Sequence, residues 1–160
     1  MSKHYLFDFD GVLADSMPVW LGIHMGNLRD AGITPSPDLV AQCGSFDMPD
    51  IYRATEQLVS RRPDITALFT ISDLMAMAAI KALHNTGRQV PKDCSVISID
   101  GIEMTQYIVP TLTSLVQPGV EMGAEAVNIL LEVIEGTGTH RHLRLETTLR
   151  EGETVAAPKS

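Results

Sequence analysis

The chain has 160 residues and the composition of a globular protein, with 44% hydrophobic and 20% charged residues. That length suits one domain that buries a core without disulfides or metals, so we expect a single domain over residues 1–160. A net charge of -8 and a pI near 4.9 predict no nucleic-acid partner, because an acidic surface repels phosphate backbones. No apolar stretch reaches the roughly 18 to 20 residues of a membrane-spanning helix, and no export signal opens the chain. We therefore expect no membrane partner and a cytoplasmic protein.

Apolar runs of strand length alternate along the chain with stretches of helical period. The predicted strands are, in chain order, 4–9, 39–43, 65–71, 94–99, 113–116 and a less regular one at 142–149. The predicted helices are 17–31, 48–61, 73–86, a short one at 103–108, and 119–135. Gly32, Gly87 and Gly136 follow three of these helices, where a helix C-terminus favours a left-handed residue. The order of elements predicts a series of βα units.

The strands themselves indicate how the sheet is covered. The segments "ITALFTI" and "CSVISI" are apolar at nearly every position, which is typical of strands with helices on both faces. We therefore predict an α/β fold, a doubly wound three-layer α/β/α sandwich with a mainly parallel sheet. The simplest layout at this length is the flavodoxin-like, or Rossmann-like, strand order 2-1-3-4-5.

In such a sheet the loops after the strand C-termini collect at one edge, where ligands bind. Polar and acidic side chains dominate that edge in this sequence, and they are Asp8, Asp10, Asp15, Ser45, Asp47, Ser72, Asp73, Asp100 and Glu103. Several carboxylates that converge on one point repel one another, and a hard cation such as Mg²⁺ relieves that repulsion. The predicted metal ligands are Asp8, Asp10 and Asp100, with Asp73 as the alternative to Asp100. Mg²⁺ is the one cofactor that this pattern suggests, and none is required.

The segment "FDFDGVLADS" resembles the first motif of the haloacid dehalogenase-like hydrolases, and the resemblance covers residues 1–25. It implies that Asp8 is a nucleophile that becomes phosphorylated and that Asp10 is a general acid and base, both acting with Mg²⁺. Such a hydrolase also needs a lysine that stabilises the phosphorylated aspartate. The lysines here are Lys3, Lys81, Lys92 and Lys159, and none is placed to serve. We therefore expect Asp8 and Asp10 to be vestigial and the protein not to be an enzyme; a weak Mg²⁺-dependent phosphatase is the alternative.

Residues 28–160 resemble a different family. The blocks "RRPDITALFTISDLMAMAAIKALHNTGRQVPKDCSVISIDGIE" and "VPTLTSLVQPGVEMGAEAVNILLEVIEG" resemble the C-terminal lobe of the effector-binding domain of lac-repressor-type regulators, which have the periplasmic-binding-protein-like fold. The family resemblance implies that Asp100, after its apolar strand, contacts a sugar or purine held between two lobes. Asp73 and Asp100 are the predicted ligand-binding residues, in vestigial form because the resemblance is mainly to one of the two lobes.

Two different families joined inside one helix suggest an engineered chimera. The main functional hypothesis is a designed scaffold without an evolved catalytic function, since each site is partial while helix ends and apolar strands are intact. A residual effector-binding lobe of a transcription regulator is the other alternative. The helix at 119–135 has an apolar face that needs cover, which suggests a homodimer through that helix.

Overall fold

The computed structural model describes residues 47–138 and 142–157. The chain divides into two compact units, the first made of Met1–Ser45 and Glu121–Leu143 and the second of Phe46–Val120 and Arg144–Ser160. The predicted strands at 4–9 and 39–43 and the predicted helix at 17–31 lie outside the described residues, and so do Asp8 and Asp10.

The second unit holds most of the described elements. In chain order they are α1 (Met48–Arg61), β1 (Ala67–Phe69), α2 (Asp73–Asn85), β2 (Ser95–Asp100), a short 3-10 helix (Glu103–Gln106), β3 (Thr113–Val116) and β4 (Thr148–Arg150). Every helix predicted within the described residues is present, with ends within about two residues of the prediction. None of the described helices is long and apolar enough to cross a membrane.

The described sheet has four strands in the order β1-β2-β3-β4. The pairs β1-β2 and β2-β3 are parallel, with Leu68 opposite Val96 and Ile97 opposite Thr113, whereas β3-β4 is antiparallel. The predicted α/β class is therefore confirmed, as is the adjacency of the three strands predicted at 65–71, 94–99 and 113–116. The last strand is shorter than predicted, because its partner β3 ends before Pro118, which has no N–H for a ladder.

Helix α2 packs against both α1 and β2 and forms the centre of this unit. It begins at an N-cap, where the Ser72 hydroxyl accepts a hydrogen bond from the Met75 N–H at 3.3 Å. It is followed by Gly87 in the predicted left-handed conformation, with φ +82°. Small alanines on its buried side allow close packing, and the core cluster comprises Val59, Ala76, Leu83, Cys94, Val96 and Leu112.

The remaining described helix is α3 (Gly119–Glu135), nearly all of it in the first unit. Its C-terminus is closed by Thr137 and Gly138, whose N–H groups both donate to the Glu132 carbonyl at 3.0 Å, around Gly136 with φ +71°. The predicted helix and its terminal glycine are thus confirmed. No residue of this helix is fully buried.

Candidate functional site

Asp100 ends β2 and lies partly buried at the carboxyl end of the parallel strands. Its carboxylate accepts two hydrogen bonds, one from Gln117 Nε2 at 2.9 Å to Oδ1 and one from the Asp73 N–H at 3.3 Å to Oδ2. Its carbonyl oxygen accepts from the Gln117 N–H at 3.1 Å. With φ 131°, Asp100 also has the only positive φ of a non-glycine residue in the described part of the chain. Backbone and side chain are therefore held in an unusual conformation by their neighbours.

The electrostatic environment of Asp100 disfavours its charged form. Burial raises the pKa of its carboxyl group above the ordinary value, and the neighbouring Asp73 carboxyl raises it further. Hydrogen bonds from the Asp73 N–H and from Gln117 act in the opposite direction. A carboxylate has about four acceptor positions, so two hydrogen bonds leave capacity for a ligand's hydroxyl groups.

Asp73 lies inside the protein, with a side chain that is 0% exposed. Its Oδ1 accepts hydrogen bonds from the hydroxyls of Ser98 and Ser114, the latter at 2.6 Å, and its Oδ2 accepts from the Ile102 N–H at 2.7 Å. The carboxylate thus connects α2 to β2, to β3 and to the loop after β2. Its helix is capped by Ser72, so Asp73 acts here as a buried structural anchor, and ligand binding by Asp73 itself stays a prediction.

Sequence reasoning missed two residues of this region. Gln117 follows β3 at the same sheet edge as Asp100, and this position after a strand was the signal that could have revealed it. Arg150 ends β4, and its guanidinium donates to the carbonyls of Gly101 and Ile102, each at 3.1 Å, and to the Thr105 hydroxyl at 2.7 Å. No local signal assigns Arg150 this position, because its partners lie about 50 residues earlier.

Two serine hydroxyls of this region are engaged by Asp73. Ser98 and Ser114 are 0% exposed and both hydroxyls are hydrogen-bonded to Asp73, so neither is accessible to a substrate. Within the described ranges, no three His, Cys, Asp or Glu side chains gather into a metal-ligand cluster. The proposed Mg²⁺ ligands Asp8 and Asp10 lie outside those ranges, so the metal site remains a prediction, as do their vestigial catalytic roles.

The lysines of the described residues lie away from Asp100. Lys81 is about 12 Å along α2 from the helix N-terminus beside Asp100, given a rise of ~1.5 Å per residue. Both Lys81 and Lys92 line a separate open groove of about 800 Å³, together with Ile80, Val90 and Ile108.

Comparisons with known proteins agree with the α/β fold. The model of the periplasmic binding protein-like domain matches residues 25–155. The HTH-type transcriptional regulator MalR of Clostridium butyricum is 36% identical over 108 residues, which cover 68% of this chain and 32% of MalR. A solved complex of the transcriptional regulator CelR with cellobiose is 33% identical, with a TM-score of 0.68, over 82% of this chain and 40% of CelR. A LacI family regulator from Arthrobacter sp. FB24 in complex with lactose is 26% identical, with a TM-score of 0.67, over 82% of this chain and 48% of that one.

These relatives overturn one prediction. The expectation of no nucleic-acid partner is wrong for proteins of this kind, because the matched relatives are HTH-type transcriptional regulators and repressors. The charge argument failed because this chain spans only about a third of the length of those curated relatives, 32% to 39%. The net charge of one such stretch does not report the charge of a whole regulator. The family match over residues 25–155 shows that the chain belongs to the periplasmic binding protein-like domain family.

Proposed function

We propose that this chain is an effector-binding lobe of a sugar-responsive transcription regulator and that Asp100 accepts hydrogen bonds from hydroxyl groups of the ligand. The single observation that carries this proposal is the Asp100 carboxylate itself. It lies partly buried at the carboxyl end of β2 and accepts hydrogen bonds from the Gln117 side chain and the Asp73 N–H. Its remaining acceptor positions are available to the hydroxyl groups of a ligand.

The energetic cost of this arrangement supports a functional role. Burial raises the pKa of Asp100, which means that the folded protein stabilises its carboxylate less well than water does. A φ of 131° adds backbone strain of about 1 to 3 kcal/mol. A raised carboxyl pKa and a strained backbone both lower stability, and such features at the ligand edge of an α/β sheet are typical of binding sites.

The ligand class follows from the chemistry of the site and from the similar complexes. A carboxylate beside an amide offers an acceptor and a donor for adjacent hydroxyl groups, a pairing that suits a polyol. Two similar regulators were solved with cellobiose and with lactose, both of which are polyhydroxylated. A mono- or disaccharide is therefore the proposed effector.

The relatives favour this function over the two other hypotheses. They are transcription regulators, so a weak phosphatase has support only from the motif around Asp8 and Asp10. The engineered chimera and the designed scaffold rest on residues 1–25, ahead of nearly all of the family match at 25–155. The described contacts of the Asp100 carboxylate come from Asp73 and Gln117, both within the family match, so the binding proposal does not depend on the origin of residues 1–25.

The proposal is tested by NMR titration of the chain with a panel of saccharides that includes cellobiose and lactose. One lobe supplies only part of a ligand's contacts, so we expect binding in the millimolar range. The Asp100→Asn variant should bind about 10-fold to 100-fold more weakly, since a hydrogen bond to a charged group contributes ~1.5 to 3 kcal/mol.

The matched control is Asp64→Asn, which makes the same substitution at an exposed carboxylate that precedes β1, at the opposite end of the strands. This variant should bind like the wild-type chain. Absence of saturable shifts with every saccharide, or equal binding by wild type and Asp100→Asn, would refute the proposed function.

A further inference from the structure

The peptide group that joins Gly101 to Ile102, directly after Asp100, lies between two charged side chains. Its carbonyl oxygen accepts a hydrogen bond from Arg150 Nη1 at 3.1 Å, and its N–H donates to Asp73 Oδ2 at 2.7 Å. A guanidinium at the oxygen and a carboxylate at the hydrogen both favour the same orientation of this amide plane. Rotation of the plane in either direction would weaken both hydrogen bonds.

Arg150 also holds the rest of the turn that follows. Its Nη2 donates to the Ile102 carbonyl at 3.1 Å and to the Thr105 hydroxyl at 2.7 Å, and that hydroxyl donates back to the Ile102 carbonyl at 2.8 Å. One side chain of β4 therefore fixes the loop 101–105 at three acceptors.

The energetics indicate that Arg150 does more than stabilise the fold. Its recorded acceptors are two carbonyls and one hydroxyl, and its Nε is buried without a partner among the described residues. Arg150 is partly buried, and burying its Nε without a hydrogen-bond partner costs free energy. Orientation of the loop 101–105 therefore explains the placement of Arg150 better than a contribution to stability does.

The loop in turn constrains Asp100. Gly101 has φ +78° and no free space, since an added Cβ would lie 2.6 Å from the Val116 Cα. Its N–H donates to the Ser114 hydroxyl at 3.2 Å. The backbone on the carboxyl side of Asp100 is thus held by hydrogen bonds at two consecutive amides, directly after the strained φ of 131° at Asp100.

We propose that Arg150 is a positioning residue of the effector site, one that orients the Gly101–Ile102 peptide and thereby holds the Asp100 carboxylate in its binding geometry. This inference rests on the proposed function for its ligand, and it deepens that function by extending the site to a residue of the antiparallel strand. Arg150 acts through the loop and does not itself touch the ligand.

The first measurement needs no ligand. Amide hydrogen exchange is compared between the wild-type chain and Arg150→Gln, which keeps a donor but loses the charge and the reach to three acceptors. Exchange at Ile102 and Thr105 should rise at least 10-fold, while Val96, whose N–H donates to the Thr154 carbonyl at 2.8 Å, should keep its rate. An equal rise at all three amides would mean a general loss of stability and would overturn the proposal.

The second measurement is affinity for the saccharide that the wild-type chain binds. Arg150→Gln should weaken binding about 10-fold, and Arg150→Lys should recover part of the loss because it restores the charge. In the Asp100→Asn background, Arg150→Gln should add little further loss, since both act on the same carboxylate.

The outcomes separate the two claims. If the wild-type chain binds, Asp100→Asn binds weakly and Arg150→Gln binds normally with unchanged exchange, the role of Arg150 is refuted and the proposed function stands. If no saccharide binds the wild-type chain, the proposed function fails and so does the positioning role. Fully additive losses in the double variant would also contradict the proposed coupling.

Discussion

Replacing the buried carboxylate of Asp73 by alanine should be among the most destabilising single changes in the second unit. Three donors converge on this carboxylate, from the hydroxyls of Ser98 and Ser114 and from the Ile102 N–H. Because Asp73, Ser98 and Ser114 are 0% exposed, solvent is not at hand to replace the lost acceptor. Asp73→Ala therefore leaves buried donors without partners.

The magnitude follows from counting those donors. Each buried polar group left unsatisfied costs about 1 to 3 kcal/mol. The Ile102 N–H cannot turn to a new acceptor, so it counts in full, whereas the two hydroxyls rotate and count at the low end. The expected loss is about 3 to 5 kcal/mol, a large share of the ~5 to 15 kcal/mol that stabilises a typical domain.

Asp73→Asn is the matched control, because asparagine has nearly the same shape. Its amide oxygen can accept from the Ile102 N–H while its NH₂ group donates to the oxygens of Ser98 and Ser114. The hydrogen-bonding pattern is thus largely preserved with reversed polarity toward the serines. We expect a loss of about 1 to 2 kcal/mol.

Urea denaturation followed by far-UV circular dichroism measures both variants. The midpoint should fall in the order wild type, Asp73→Asn, Asp73→Ala, with an unchanged denaturant slope. A loss below about 1 kcal/mol for Asp73→Ala, or equal losses for the two variants, would show that the buried anchor does not act as the geometry indicates.

Three further predictions concern the same unit. Gly101→Ala should lower the free energy of unfolding by about 2 to 4 kcal/mol. Gly87 has a similar φ of +82° but nothing within 4 Å of an added Cβ, so Gly87→Ala should lower it only by the ~1 to 2 kcal/mol of a left-handed alanine. Equal losses of stability in the two variants would contradict the steric argument. Leu112→Ala, at 1% exposure, should cost about 2 to 5 kcal/mol, and Val109→Ala, at 93% exposure, should stay within ~0.5 kcal/mol in the same assay. Burial raises the pKa of Asp100, so the folded state binds that proton more tightly than the unfolded state, and stability falls as pH rises from the ordinary carboxyl range through the raised pKa. Asp100→Asn removes this loss, so its stability relative to wild type should be higher at pH 7 than at pH 4, and a constant difference between the two pH values would exclude the effect.

Much of the architecture was predictable because it depends on local sequence patterns. Apolar runs and helical periods placed α1, α2 and α3 nearly to the residue, and the left-handed Gly87 and Gly136 were expected from helix ends alone. The rule that consecutive βα units lie side by side predicted that β1, β2 and β3 would be neighbours. The position of Asp100 at the carboxyl end of β2 was also predicted from the sequence, whereas its role in ligand binding stays a prediction.

The partners of Asp100 were decided by tertiary structure. Gln117 and Arg150 reach the Asp100 loop only through the register of β2 with β3 and of β3 with β4, in which Asp100 pairs with Val116 and Ser114 pairs with Arg150. The burial of Asp73 was likewise decided by tertiary structure, because the hydroxyls that hydrogen-bond its carboxylate come from Ser98 and Ser114 on two neighbouring strands.

The sequence by itself therefore determined which segments form helices and strands and that Asp100 lies at the carboxyl end of a strand, since periodicity and turn preferences act over a few residues. Only the folded chain decided which side chains meet there. Hydrogen bonds across 17 to about 50 residues depend on strand register, and register is set by the packing of the whole sheet.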